Sequence, residues 1–281
     1  MRYLIQLFLC ALCLSTAVQS EDLGQFVQKL EGKLQARIGV YIVDVKSGKS
    51  TGYRQHDRFP LNSTFKTLAC AALLHQQDQG MVSLTQSVTL SKTDIVPYSP
   101  VTQNFIGKKF TLNDACAAAM HYSDNTAANL VLQTVGGPAG LTQFLRKLGD
   151  THTRVDRYEP EINITNIPQD TTTPQAIATT LHTLIFKSPL SPPSLKHLKD
   201  WMAGNKVTDT LIRQVIPKNW RIEDRSGAGD KGSRSITAII YPTDQNPFII
   251  SIYITDTNIP FSKRNQAIRD ISAFYIQNRT I

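Results

Sequence analysis

Beyond its N-terminus, the 281-residue sequence has no apolar run of the ~20 residues that a membrane-spanning helix needs. It has no internal repeat and no low-complexity stretch, which excludes solenoids and disordered tails. Lys and Arg outnumber Asp and Glu by 30 to 22, for a formal charge of +8. The basic residues are scattered, with no basic run and no interleaved aromatics. This is the pattern of a solvated basic surface and not of a nucleic-acid partner. Cysteine is scarce: there are four, and Cys10 and Cys13 fall in the first twenty residues.

Those twenty residues read as a secretory signal. Arg2 supplies a positive start, residues 7–14 form a short apolar core, and the small Val18 and Ser20 suit a cleavage site before Glu21. Arg2 is the one charged residue of the segment, so its removal lowers the charge from +8 to +7. The expected location is the periplasm or the medium. Cys70 and Cys116 remain, and two cysteines in an exported chain suggest one disulfide, the alternative being two buried thiols.

The apolar residues that are present mark the elements. Leu23, Phe26, Val27, Leu30 and Leu34 have helical spacing. Residues 37–45 are β-branched and alternating, turn at Ser47-Gly48, and residues 51–53 pair back. From residue 60 to about 205 the pattern is helical, with Asn62 as a candidate cap for the first of these helices. Residues 151–172 lack periodicity and form a long loop, a kind that in compact domains is usually functional. Strands return at 221–226, 235–241 and 247–255, and a helix at 261–278 closes the chain. The expected fold class is α+β. One five-stranded antiparallel sheet is flanked by N- and C-terminal helices in an α/β lobe of residues 21–60 and 206–281. An all-helical lobe, residues 61–205, is inserted into it. A ligand cleft is expected where lobe and sheet meet.

Four segments carry chemistry. Ser63 and Lys66 lie three apart at a helix start, on one face. A serine hydroxyl is a weak nucleophile until a base takes its proton, and a lysine entering an apolar helix loses hydration, which disfavours its charge. The plain alternative is a helix start followed by a snorkelling lysine. Ser123-Asp124-Asn125 offers a hydroxyl to relay a proton and an amide to bind a substrate amide. It reads equally as a helix cap. In the long loop, Glu159 can act as a general base on water and Asn163 can hold that water, while Arg157 is free to pair with Asp170. Arg225-Ser226-Gly227-Ala228 ends a strand and Arg234 follows nine residues after Arg225. A cation, a hydroxyl and a glycine-rich edge can dock a carboxylate.

Taken in order, S-x-x-K at Ser63–Lys66, S-D-N at Ser123–Asn125 and a K-T-G-like Arg225-Ser226-Gly227 resemble the signature of class A β-lactamases and penicillin-binding proteins. Glu159-Pro160-Glu161-Ile162-Asn163 resembles the E-x-x-x-N of the class A Ω loop, and Asp170-Thr171-Thr172-Thr173-Pro174 its closing segment. The resemblance covers residues 21–281. It implies a serine acyl-enzyme hydrolase with catalytic Ser63, Lys66, Ser123 and Glu159. Tyr98, Asn125, Asn163, Arg225, Ser226, Gly227, Ala228 and Arg234 are implied as substrate-binding residues, and Cys70 with Cys116 as the disulfide. It calls for no metal and no cofactor, a small-molecule β-lactam as partner, and a monomer.

Three departures matter. Arg225 stands where K-T-G has lysine, which resembles the carbenicillin-hydrolysing branch and points to penicillins, including carboxypenicillins. The Ω loop between Asn163 and Asp170 is shorter than in common relatives. Asn62 and Gly229 are not the cysteine pair of the disulfide-containing carbapenemases. The rival readings are a penicillin-binding DD-peptidase or a glutaminase of related fold, in which Glu159 has no job, and a sensor that is acylated and stays so.

Overall fold

The computed structural model describes residues 22–187 and 189–279. The expected signal segment lies outside these residues. Helix α1 (Leu23–Leu34) starts where the Asp22 carboxylate accepts the Gln25 N–H, and buries Leu23 and Val27. Strands β1 (Arg37–Asp44) and β2 (Ser50–Tyr53) form the expected hairpin. The short strand β3 (Phe59–Pro60) leads through a 3₁₀ turn, Asn62–Thr64, into α2 (Phe65–Asp78). A small hairpin of β4 (Ser87–Thr89) and β5 (Lys109–Thr111) precedes α3 (Leu112–Tyr122), α4 (Asn125–Thr134) and α5 (Gly137–Lys147). The long loop ends in β6 (Thr171–Thr172), which pairs with β3. Helices α6 (Pro174–His182) and α7 (Pro192–Ala203) complete the helical middle. Strands β7 (Arg221–Ala228), β8 (Arg234–Tyr241) and β9 (Phe248–Thr255) and helix α8 (Phe261–Asn278) follow.

The five long strands form one antiparallel sheet in the order β2-β1-β9-β8-β7. The fold is the α+β arrangement expected. β9 is the central strand and is buried on both faces. Its Phe248, Ile250, Ile252 and Ile254 pack with α1 and α8, whereas Ile249 and Tyr253 face the helical side. That two-residue period divides the apolar residues between two cores. In α1 and α8, Phe26 stacks on Phe274 with ring centroids 4.3 Å apart.

Helix α2 is the axis of the other core. Every residue from Phe65 to Leu74 is buried, as expected of a helix that is apolar all round. Cys70 and Cys116 form a disulfide that ties α2 to α3, with their Cα atoms 5.8 Å apart. One expectation fails locally. Asn62 does not cap α2: it sits inside the 3₁₀ turn with φ +46°, and its Oδ1 accepts a hydrogen bond from Ser233 Oγ on the β7–β8 side. The pull of tertiary packing on this side chain outweighs its capping propensity.

Candidate active site

Ser63 is held by its main chain before its side chain does anything. Leu61 N–H donates to the Asp170 carbonyl at 2.9 Å, and Thr64 Oγ1 donates to the Leu61 carbonyl. On the other side, a Cβ at Gly227 would stand 2.8 Å from Ser63 N, so only glycine lets β7 approach the nucleophile's amide this closely. Arg225 Nε donates to the Ser63 carbonyl. Ser63 Oγ in turn accepts a hydrogen bond from Ser123 Oγ at 3.0 Å.

Lys66 projects from the first turn of α2 and is wholly buried. Its Nζ donates to the Ser123 carbonyl at 2.8 Å and to Asn125 Oδ1 at 2.7 Å, and lies 3.3 Å from Ser123 Oγ. Glu159 Oε1 is 3.1 Å away, and both side chains of this ion pair are out of solvent. Burial pulls the ammonium down to about 8, against the attraction of Glu159 and with the help of the nearby Arg225 cation.

Ser123 ends α3 with φ +62°, a left-handed turn that points its hydroxyl at Ser63. Asp124 caps α4 by accepting the Ala127 N–H, so the cap reading of this triplet is also right. Asp124 does more: its Oδ2 accepts the N–H groups of Val101 and Thr102, and its Oδ1 the Thr102 hydroxyl. Those bonds anchor the loop that carries Tyr98, which is 59% exposed at the cleft mouth. Asn125 lines the cavity, but its Nδ2 donates to the Pro97 carbonyl. Its amide is therefore shared with that loop and is not wholly available to a substrate.

Glu159 stands on the long loop and is buried. Asn129 brackets its peptide, accepting the Glu159 N–H through Oδ1 and donating from Nδ2 to the Glu159 carbonyl. Sequence reasoning missed Asn129; its position four residues after Asn125, on the same face of α4, is the signal that was available. Asn163 Nδ2 donates to Glu159 Oε2, while Asn163 Oδ1 is buried and accepts no bond from the described residues. Arg157 pairs with Asp170 at 2.6 Å, as expected.

The β7 edge closes the site. Arg225 is fully buried; besides Ser63 it donates to the Met120 carbonyl at 3.1 Å and to Ser123 Oγ. Arg225 thus lines the cleft from within the strand. Its fork is spent on the protein and forms the cleft wall. Burial draws its guanidinium down to about 10. Arg234 donates to the Asn265 side chain and to the Gly227 carbonyl. A Cβ at Gly229 would meet Asn62 Oδ1 at 2.4 Å and the Asn163 carbonyl at 2.6 Å. The hairpin, the nucleophile turn and the long loop therefore meet in one place.

They enclose a cavity of about 450 Å³. It is lined by Ser63, Tyr98, Ser123, Asn125, Asn163, Arg225, Ser226, Gly227, Ala228 and Arg234. Val207, Thr210 and Phe261 also line it and were not singled out from the sequence. Lys66 and Glu159 lie behind this surface, buried and facing one another. Among the described residues no group of His, Cys, Asp and Glu is placed to hold a metal ion. The arrangement can activate a hydroxyl beside buried cationic side chains and bind an anion next to it.

The comparisons agree with this geometry. Residues 22–278 match the Beta-lactamase enzyme family. The chain is 46% identical over 272 residues to the β-lactamase CARB-3 of Pseudomonas aeruginosa, across 95% of this chain and 94% of that protein. It superposes on the chromosome-encoded β-lactamase of Vibrio parahaemolyticus with TM-score 0.89 and 44% identity, covering 92% of this chain and 99% of that one. A class A β-lactamase of the last common ancestor of Gram-negative bacteria gives TM-score 0.90 at 41% identity, covering 92% and 99%. With its fold, its cleft and these relatives in agreement, the chain belongs to the class A β-lactamase family.

Proposed function

We propose that this enzyme hydrolyses penicillins through an acyl-enzyme on Ser63. The observation that carries the assignment is the bond from Ser123 Oγ to Ser63 Oγ at 3.0 Å, with the buried Lys66 Nζ touching Ser123 and facing Glu159. Ser63 attacks the lactam carbonyl, and its proton passes into the Lys66–Glu159 pair. The oxyanion lies between the N–H groups of Ser63 and Ala228, where preorganised donors contribute ~3 kcal/mol each. Ser123 returns a proton to the departing ring nitrogen.

Glu159 then takes a proton from the water that cleaves the ester. Asn163 holds that water through Oδ1, an acceptor that the described residues leave free. The substrate carboxylate lies against Ser226 and Arg234, with Arg225 adding positive field from within the wall. Arg225 in the lysine position favours penicillins and carboxypenicillins as substrates. The enzyme acts as a monomer, without nucleic acid, metal or cofactor. It works in the periplasm or medium once residues 1–20 are removed.

The test is turnover of a chromogenic cephalosporin and of benzylpenicillin by the mature chain. Many turnovers per enzyme, lost in Ser63→Ala, support the reading. One stoichiometric burst without turnover sinks it in favour of a penicillin-binding protein or sensor.

A further inference from the structure

The most basic corner of the cleft is faced by an apolar ring. Phe261, the first residue of α8, lines the cavity and is 47% exposed. Its ring centroid lies 4.8 Å from Arg234 Cζ and 5.1 Å from Arg264 Cζ. Both guanidiniums thus share one aromatic side chain. Arg264 reaches the Ser233 carbonyl at 3.5 Å, and its Nε is buried without an acceptor among the described residues. Arg234 uses Nε on Asn265 and Nη1 on Gly227, and its Nη2 has no protein acceptor among the described residues.

Two cations so placed repel each other. Burial draws Arg234 down to about 10, and the charges of Arg225 and Arg264 push in the same direction. A π face, with its negative quadrupole, attracts a guanidinium and leaves its edge donors free. Phe261 supplies that face and no hydrogen-bond acceptor, so it consumes none of the donors a ligand would need.

We propose that Phe261 is a positioning residue for the substrate carboxylate: its ring holds Arg234 and Arg264 together against their repulsion, with Arg234 Nη2 turned to the ligand. The proposal rests on the assignment of Arg234 to the substrate carboxylate. It explains why an exposed aromatic opens α8 at a position where helix propensity would favour other residues.

The experiment crosses side chain with substrate charge. Wild type, Phe261→Ala, Phe261→Leu and Phe261→Tyr are assayed with benzylpenicillin and with its methyl ester. For the acid, kcat/KM falls about fivefold in Phe261→Ala and Phe261→Leu through KM, the scale of one cation–π contact, and Phe261→Tyr restores it. For the ester, the four proteins agree within about twofold, an interval well below that contact. Equal losses for acid and ester would overturn the proposal, as would full activity of Phe261→Leu, because either makes the ring mere packing. Unchanged melting temperatures establish that each variant is folded. Failure of the wild type to turn over benzylpenicillin would sink the proposed function instead, so the two failures are distinct.

Discussion

Arg225 donates from Nε to the main-chain carbonyl of Ser63 at 3.2 Å, so the last cation of β7 supports the nucleophile's own peptide. The same fork reaches Met120 and Ser123, tying strand, nucleophile turn and the end of α3 together. A lysine has three donors at one point and cannot span these acceptors. Arg225→Lys is expected to lower stability by about 1–2 kcal/mol, the scale of one lost charged hydrogen bond. It should lower kcat/KM for penicillins about tenfold, by loosening Ser63 and Ser123 together. Thermal melts and steady-state kinetics check both numbers. A variant as stable and active as wild type would mean that the fork is incidental.

Glu159 faces Lys66 on one side and is held by Asn163 on the other. Glu159→Ala is expected to leave acylation partly intact and to stall deacylation. Loss of a general base costs typically about 10²–10⁴ in rate. Intact-protein mass spectrometry with benzylpenicillin should show a persistent adduct on Ser63. Stopped-flow deacylation at the wild-type rate would refute the role.

The buried Lys66 also makes stability depend on pH. Its ammonium falls to about 8 in the folded protein, chiefly through burial, from an ordinary value of 10.5. Between these two values the unfolded chain binds more protons, so unfolding free energy rises with pH there. Below about 8 both states carry the charge and the full cost of burying it remains. Urea unfolding from pH 8 to 9 should show the rise in wild type, and Lys66→Ala should flatten it. Towards pH 10 the buried tyrosines, raised by burial above their ordinary 10.0, begin to oppose it.

What the sequence could reveal tracks how local each cause is. The strands of the sheet and α8 follow from apolar period, and their boundaries agree with the structure to within a few residues. Ser63, Lys66, Ser123 and Glu159 were legible because motif spacing survives in sequence. Asn62 was misread because its cap propensity yields to packing beneath Gly227 and Gly229. The burial of the Arg225 fork has no signal in the sequence, because it depends on Met120 and Ser123, which are about a hundred positions away. Phe261 carries no motif at all, and Asn129 only its place four residues after Asn125 on α4. Their roles exist only once α4 meets the long loop and α8 meets β8.

The Cys70–Cys116 bond joins two buried residues across 46 positions. Closing a loop of that length stabilises a chain by roughly 4 kcal/mol in the chain-entropy description, and removing a native disulfide typically costs 2–5 kcal/mol. Cys70→Ala/Cys116→Ala is expected to lose about that much in urea unfolding. At 25 °C its kcat should stay within about twofold of wild type, since α2 and α3 keep their apolar contacts. A large drop in kcat with little loss of stability would mean instead that the bond shapes the Ser63–Ser123 geometry directly.

Asp170 links the long loop to the nucleophile. Its carboxylate accepts the N–H groups of Asp156 and Arg157 and the Arg157 guanidinium, while its carbonyl accepts Leu61 N–H, two residues before Ser63. The side chain is 1% exposed, so the charge has no water to fall back on. Asp170→Asn keeps the shape and removes the charge, leaving Arg157 without its partner. The loss should be about 2–3 kcal/mol, between a charged hydrogen bond and a fully broken buried pair. The kinetic signature should be uneven. Glu159 rides on the same loop and depends on its closure, whereas Ser63 is also held by Arg225, Gly227 and Ser123. Deacylation is therefore expected to slow more than acylation, with acyl-enzyme accumulating in the steady state. Pre-steady-state bursts with benzylpenicillin separate the two steps. Equal slowing of both would show that Asp170 acts through Leu61 on the nucleophile, and not through the loop on Glu159.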